Sequence, residues 1–355
     1  MKRISLSLEK TKRIFSLIHA SMKFGILTGG GDCPGMNAFV RAVVRTTLNL
    51  RPQTSVWGVV DGWKGLLDNN FSRLGKLDVA GLTSRGGTIL GTTRVPELAT
   101  DFDLQETLAR NLHDNGFNYL FVCGGNGSLK ASNALNTIAR REGLRTKFLV
   151  SPGSIDNDVC NTAGSSIGFY SALDKSLEML EWIRDTASSH RRLYLVRSMG
   201  RKSAYLALYS GIASGAEYVI MPNEEVDYQH VATVIAERDK DTRIIVSESY
   251  PKSLEEIRTT LEAIFANRGI KREVRAVDMG YFQRGGKTSV TDILRASWIG
   301  YRMVQDAFEG CDSGFYTAYY TGHSPAPMPL EEAAADEASY DSIPQEFIDF
   351  ALALR

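Results

Sequence analysis

The chain has 355 residues, enough for two ordinary domains, and 43% of them are apolar, enough to fill sizeable cores. Lysine plus arginine balances aspartate plus glutamate, 41 against 41, so neither nucleic acid nor an anionic membrane is expected as a partner, and any anion site must come from local placement of charge. Four scattered cysteines with no CxxC pair speak against a zinc site or a disulfide scaffold and lead us to expect a cytoplasmic protein, and no apolar run reaches the ~20 residues of a membrane span.

The first 21 residues, MKRISLSLEKTKRIFSLIHAS, are basic and mildly amphipathic but lack the apolar core of a secretory signal. Residues 1–22 read as an extension, a short helix or tail, with an organellar presequence or a start at Met22 as the alternatives. Apolar runs that favour strands follow at 24–30, 56–62, 119–125, 147–153, 192–200, 216–222, 242–249 and 273–280, each closing near a glycine, a proline or a polar turn residue. Between most of them lie stretches with helical spacing, such as MNAFVRAVVRTTLNL and ALDKSLEMLEWIRDTASSH. Strands that are apolar throughout and alternate with helices predict parallel sheets covered on both faces. Two such sets predict an α/β fold: two Rossmann-like domains with mainly parallel sheets and an active-site cleft between them. The acidic, alanine-rich segment 330–341 reads as a solvated loop or helix.

Two glycine loops stand between a strand and a helix. In GILTGGGDCPGMN three glycines and Asp32 lie where backbone N–H groups at a helix start are able to meet a phosphate; a plain strand-to-helix turn is the other reading. Pro34 breaks the dinucleotide fingerprint and no lysine follows to make a P-loop. The second loop is GGNGS, Gly124 to Ser128. Its Asn-Gly pair signals a hairpin in isolation, but here the flanks are strand before and helix after. Two such loops together favour a nucleoside triphosphate.

A third loop, SPGSIDND, carries Asp156 and Asp158 two residues apart, and in an extended segment those side chains point the same way. The pair reads either as a base next to a metal ligand or as an Asx turn or helix cap. Arginines recur near strand ends: Arg94, Arg192, Arg201, Arg275 and Arg284. Arginine beside glycine turns suits a two-pronged grip on phosphate, although each one alone fits a surface ion pair equally well.

The segments GILTGGGDCPGMNAFVRAVVR, RGGTILGTTR, GGNGS, PGSIDND, IGFYSALDKSLE, DTASSHRR, SMGR and GYFQRGG occur in the order and spacing of the phosphofructokinases. From about residue 23 to residue 300 the chain resembles that family, its bacterial ATP-dependent 6-phosphofructokinases above all. The resemblance implies transfer of the γ-phosphoryl of ATP, or of a phosphoryl of pyrophosphate, to the 1-hydroxyl of fructose 6-phosphate. It also implies a nucleotide-binding domain of residues 23–168 plus 284–330 and a sugar-phosphate-binding domain of 169–283 plus 331–355.

By the same resemblance Asp156 is the catalytic base, and Gly31 and Arg94 stabilise the transferring phosphoryl. Ser154 replaces a usual threonine and keeps its hydroxyl. ATP falls to Gly30, Gly31, Trp63, Arg94, Gly124, Gly125, Gly127 and Ser128, and Mg2+ to Asn126 and Asp158. Met199, Gly200, Arg201 and Glu248 match the sugar contacts. Arg192 and Arg275 match arginines that reach the 6-phosphate from a neighbouring subunit, implying a homo-oligomer, a tetramer or a dimer, with shared active sites. Arg284 matches the same phosphate pocket, and Tyr281 stands where a histidine is common.

Gly127 and Gly153 form the ATP-type pair, where pyrophosphate users carry aspartate and lysine; glycine leaves room for the α-phosphate. Arg41, Arg45, Arg184 and Glu217 match part of a family effector site, but Asp239 falls where a lysine belongs, and a subunit interface is the alternative use of those arginines. The family motif GGDGS is GGNGS here, so Asn126 keeps an oxygen for magnesium while removing a charge, and Asn126→Asp is expected to raise activity or metal affinity. Two readings stand beside the ATP-dependent kinase: a catalytically weak paralogue serving as a regulatory subunit, and a kinase of another sugar phosphate. Pyrophosphate as donor comes last.

Overall fold

A computed structural model describes residues 21–160, 166–237, 242–317, 325–336 and 343–353; residues 1–20 of the expected extension and Asp239 lie outside these. All eight apolar runs form strands, and the described residues hold twelve strands in two sheets. The first sheet takes β1 (Lys23–Gly29), β2 (Ser55–Val59), β3 (Phe71–Arg73), β4 (Tyr119–Gly124), β5 (Lys147–Ser154) and β6 (Ile167–Gly168). The second consists of β7 (Leu193–Ser198), β8 (Tyr218–Ile220), β9 (Thr242–Ser247) and β10 (Val274–Asp278), in the order β10-β7-β9-β8 and parallel throughout. The chain then returns to the first sheet with β11 (Gly314–Thr317) and β12 (Ala326–Met328), giving the order β12-β11-β5-β4-β1-β2-β3 with β6 paired to β5.

Among the described residues only the edge pairs β2–β3 and β11–β12 are antiparallel. The short strands β3, β6, β11 and β12 escape a reading by apolar runs, because tertiary pairing rather than a long hydrophobic segment makes them. β1 and β4 are buried almost end to end, as strands of a sheet covered on both faces must be.

Helices cover both faces. In Met36–Leu50 the buried residues Met36, Phe39, Val40, Val43, Val44 and Thr47 recur at three and four, forming one apolar stripe. That stripe faces the sheet and the helix Val290–Glu309, whose Ala296, Ile299, Met303 and Ala307 join the same core. Gly300 permits the close approach, since a Cβ there would lie 3.0 Å from that of Ala42. Fully burying one such side chain is worth roughly 1.5–3 kcal/mol.

The short helix Leu330–Ala335 packs Leu330 and Ala333 into the core of the first sheet, whereas Ile343 and, in the helix Gln345–Ala353, Phe347 and Ile348 pack with the second.

Strand register places the site. Gly29 pairs with Gly124, and Gly124 with Pro152, so the loops after β1, β4 and β5 leave the sheet side by side. In the second sheet Ser198 pairs with Ser247 and Arg197 with Asp278, so the segments after β7, β9 and β10 likewise emerge together. Ligand sites of open α/β sheets lie at such carboxyl ends.

Candidate active site

Between the two sets of loops is a cleft of about 340 Å³. Gly30, Gly31, Asp32, Trp63, Arg94, Gly125 to Ser128, Gly153, Ser154, Asp156, Asp158, Arg201 and Arg284 all line it. The first glycine loop reaches it through Gly30, whose φ of +88° suits glycine. The second loop makes no hairpin: the helix Asn126–Glu142 begins directly at Asn126, with no side-chain cap at Gly125. An uncapped helix start carries unsatisfied N–H groups and a positive dipole end, the local requirement for binding an anion. Trp63 contributes little open ring; it is 4% exposed, packs among Leu27, Val59 and Leu66, and donates its indole N–H to Ser128 Oγ at 3.0 Å. Gly124 is likewise interior, since a Cβ there would lie 2.5 Å from the Gly29 carbonyl.

The acidic turn is not an extended segment. Asn157 adopts a left-handed conformation, φ +55°, and its Oδ1 accepts from the Ser166 amide at 2.8 Å. Ser154 Oγ accepts from the Asp156 amide at 3.1 Å and donates to Asp158 Oδ1 at 3.3 Å. The turn therefore brings both aspartates into the cleft by folding back, where the sequence suggested strand alternation. Ser203 fixes it from the other side by donating to the Asp156 carbonyl.

Asp156 is 4% exposed, its Oδ1 finds no hydrogen-bond partner among the described residues, and its Oδ2 lies 3.9 Å from Arg201 Nε. Burial, reinforced by the Asp158 charge, pushes its carboxyl up to about 7, against the opposing pull of Arg201 and Arg284. A buried carboxylate so tuned, facing a cleft lined by guanidinium groups, has the properties of a base beside an anion site.

Arg94 and Arg284 converge on Gly31: a Cβ built there would lie 2.6 Å from Arg284 Nη1 and 3.3 Å from Arg94 Nη2. Arg284 also reaches Asp32 at 3.7 Å. The loop leading to Arg94 is tied to β1 by Thr28 Oγ1, which donates to the Gly91 carbonyl at 2.9 Å, and by Thr92, whose hydroxyl donates to Gly30 O at 2.9 Å. Asp32, which the sequence places between the glycines and the helix without giving it a role of its own, is thus a further residue of the site.

The sugar-side residues divide. Glu248 Oε2 accepts from the Gly200 and Arg201 amides at 3.1 and 2.9 Å, so it shapes the Met199–Arg201 loop directly. Arg284 sits against Gly31 rather than beside Arg192 and Arg275. Those two arginines both pair with Glu273 and lie at the amino ends of β7 and β10. Six residues of strand, roughly 20 Å, separate Arg192 from the loop after β7. Tyr281 is 83% exposed and borders a second, apolar cavity of about 450 Å³ with Trp182 and Phe282.

The two glycines of the donor pair are open and closed. A Cβ on Gly127 would meet none of the described residues within 4 Å, whereas one on Gly153 would lie 2.8 Å from Cys123 Sγ. Gly153 is thus required by packing against β4, a reason the sequence did not show. Of the residues matched to an effector site, Arg184 pairs with Glu181 and Asp185, and Glu217 accepts from the Arg243 amide at 2.6 Å.

Asn126 does work that an aspartate is unable to do: its Nδ2 donates to the Asp158 carbonyl at 2.9 Å, tying the glycine loop to the acidic turn. Replacing it by aspartate removes the donor and sets a carboxylate against a carbonyl, a cost of about 1–3 kcal/mol. An acid in the first helical turn recovers only about 0.3–1 kcal/mol. Asn126→Asp is therefore expected to lower stability by roughly 1 kcal/mol in denaturant unfolding; an unchanged or raised midpoint would show that the bond contributes nothing.

Comparison with known proteins gives a consistent result. The phosphofructokinase family model matches residues 23–307. The ATP-dependent 6-phosphofructokinase of Hamiltonella defensa is 37% identical over 287 residues, covering 80% of this chain and 83% of that one. The enzyme of the same name from Macrococcus caseolyticus is 39% identical over 286 residues, covering 80% and 85%. Among solved structures, phosphofructokinase from Saccharomyces cerevisiae superposes with a TM-score of 0.77 at 30% identity over 94% of this chain; the chain spans 48% of that much longer subunit.

Proposed function

This chain belongs to the phosphofructokinase family, and from that premise we propose that it is an ATP-dependent 6-phosphofructokinase, transferring the γ-phosphoryl of ATP to the 1-hydroxyl of fructose 6-phosphate. The observation that carries the reading is the buried carboxyl of Asp156, its Oδ1 without a partner among the described residues, in the same cleft as Gly31, Arg94 and Arg284.

Asp156 takes the proton of the attacking hydroxyl, and a carboxylate held near neutral pKa is well matched to that transfer. The guanidinium groups at Gly31 meet the charge spread over the transferring phosphoryl, the main form of catalysis where no covalent intermediate forms. Backbone amides at the uncapped start of the Asn126–Glu142 helix hold the remaining phosphates.

The donors near the acidic turn suit a hard cation. Asn126 has its nitrogen committed to Asp158 O, so its Oδ1 is the atom it offers, alongside the Asp158 carboxylate and the Ser154 hydroxyl. No cluster of three or more acidic, histidine or cysteine side chains fit to hold a metal occurs among the described residues. One carboxylate with neutral oxygens is a set that Mg2+ accepts when phosphates and water complete it. Asn126 and Asp158 would hold that ion, which supplies neutralisation of phosphate charge when bound.

Arg192 and Arg275, too far along the second sheet to serve their own cleft, act on the cleft of a second copy. The exposed Trp182, Tyr281 and Phe282 give such a copy an apolar seat. Location in the cytoplasm follows from the same reading.

The test of donor and acceptor is a side-by-side assay with ATP or pyrophosphate and several sugar phosphates. Because Gly127 opens onto free space in the cleft, ATP with fructose 6-phosphate is expected to give the highest kcat/KM. Faster transfer from pyrophosphate, or to another sugar phosphate, would displace the assignment.

A further inference from the structure

Gln283 is fully buried, and its side-chain amide bonds to two different elements. Its Nε2 donates to Ser176 Oγ at 2.7 Å, in the helix Phe169–His190, and to Ser198 Oγ at 3.0 Å, at the end of β7. Its Oε1 accepts from the Met199 amide at 2.8 Å. Both serine hydroxyls spend their own protons elsewhere, Ser176 on the Ala172 carbonyl and Ser198 on the Met199 carbonyl. The position therefore calls for two donors and one acceptor on a single uncharged side chain, which only a carboxamide supplies.

The two amides that follow Met199 are those of Gly200 and Arg201, both held by Glu248. Three successive N–H groups of the loop after β7 are thus fixed by two side chains, one from the loop after β9 and one from the turn Gly280–Arg284. The residue next to Gln283 is Arg284, whose guanidinium packs on Gly31 and pairs with Asp32.

We propose that Gln283 is a positioning residue: its amide locks the Met199–Arg201 loop to the turn that carries Arg284, so that the sugar-side wall and the phosphate-side wall of the cleft keep one fixed relation. The kinetic consequence rests on the kinase reading above; the mechanical one does not.

The test compares wild type with Gln283→Met, which keeps length and apolar bulk and loses all three bonds. Hydrogen exchange of the peptide spanning Met199 to Arg201 should speed up about tenfold or more, the loss expected for a buried hydrogen-bonded clamp. In the coupled assay KM for fructose 6-phosphate should rise about tenfold and kcat fall, while KM for ATP stays within about twofold. Unchanged exchange, or both KM values unchanged or moving alike, would overturn the proposal, since a purely structural defect lowers the active fraction without separating the two substrates. If Gln283→Met does not fold, Ser198→Ala removes one of the three bonds and should shift exchange and the fructose 6-phosphate KM the same way by a smaller factor; no shift overturns the clamp. Failure of the wild type to turn over would sink the kinase reading alone, because the exchange measurement still decides whether Gln283 holds the loop.

Discussion

Replacing Asp156 with serine is expected to abolish useful turnover, lowering kcat by about 10²–10⁴ while leaving the affinity for fructose 6-phosphate nearly unchanged. The turn itself is held by groups other than the carboxylate: the Asp156 amide on Ser154 Oγ, its carbonyl on Ser203 and the Asn157 side chain on the Ser166 amide. What the substitution removes is the 4% exposed carboxyl, with its weak ion pair to Arg201 at 3.9 Å. Relief of that buried charge should if anything stabilise the fold, so a loss of rate is not a loss of protein. Single-turnover kinetics together with calorimetric titration of the sugar phosphate separates the two effects. Activity within tenfold of wild type would remove Asp156 as the base.

Arg94→Ala is the second large effect, a fall in kcat of about 10²–10³ with smaller changes in both KM values. Arg94 is exposed at the cleft mouth and reaches the space above Gly31 from a loop pinned by Thr28 and Thr92, so its loss disturbs little packing. Arg284 enters the same space from the opposite wall and already shares its charge with Asp32 at 3.7 Å, so it replaces Arg94 only in part. Steady-state kinetics checks this. A rise in KM for ATP with kcat unchanged would mean that Arg94 binds the nucleotide equally in ground and transition states and does not favour the transition state.

How far the sequence carried depends on the range of the signal. Apolar runs gave the eight main strands and the two-sheet α/β architecture, because a buried parallel strand declares itself within its own residues. The three loops at the ends of β1, β4 and β5 were legible for the same reason, as glycine and aspartate beside a strand end. Features that depend on a partner were not. The burial of Trp63 against Ser128 and the pressure of Cys123 on Gly153 each involve residues far apart in the chain. The left-handed Asn157 replaced the expected strand alternation because its side chain finds the Ser166 amide. Asn126 changed most: read as a weakened metal ligand, it proves also to be a donor to the Asp158 carbonyl, so a gain in charge on mutation to aspartate comes with a loss of structure.

The most direct measurement is the formation of fructose 1,6-bisphosphate by the purified wild-type chain supplied with Mg-ATP and fructose 6-phosphate at millimolar-order concentrations. The arrangement of Asp156, Gly31, Arg94 and Arg284 predicts sustained turnover at about 1–100 per second. Tight binding of either ligand with no bisphosphate formed would contradict it, and would make the chain a binding subunit instead of a kinase.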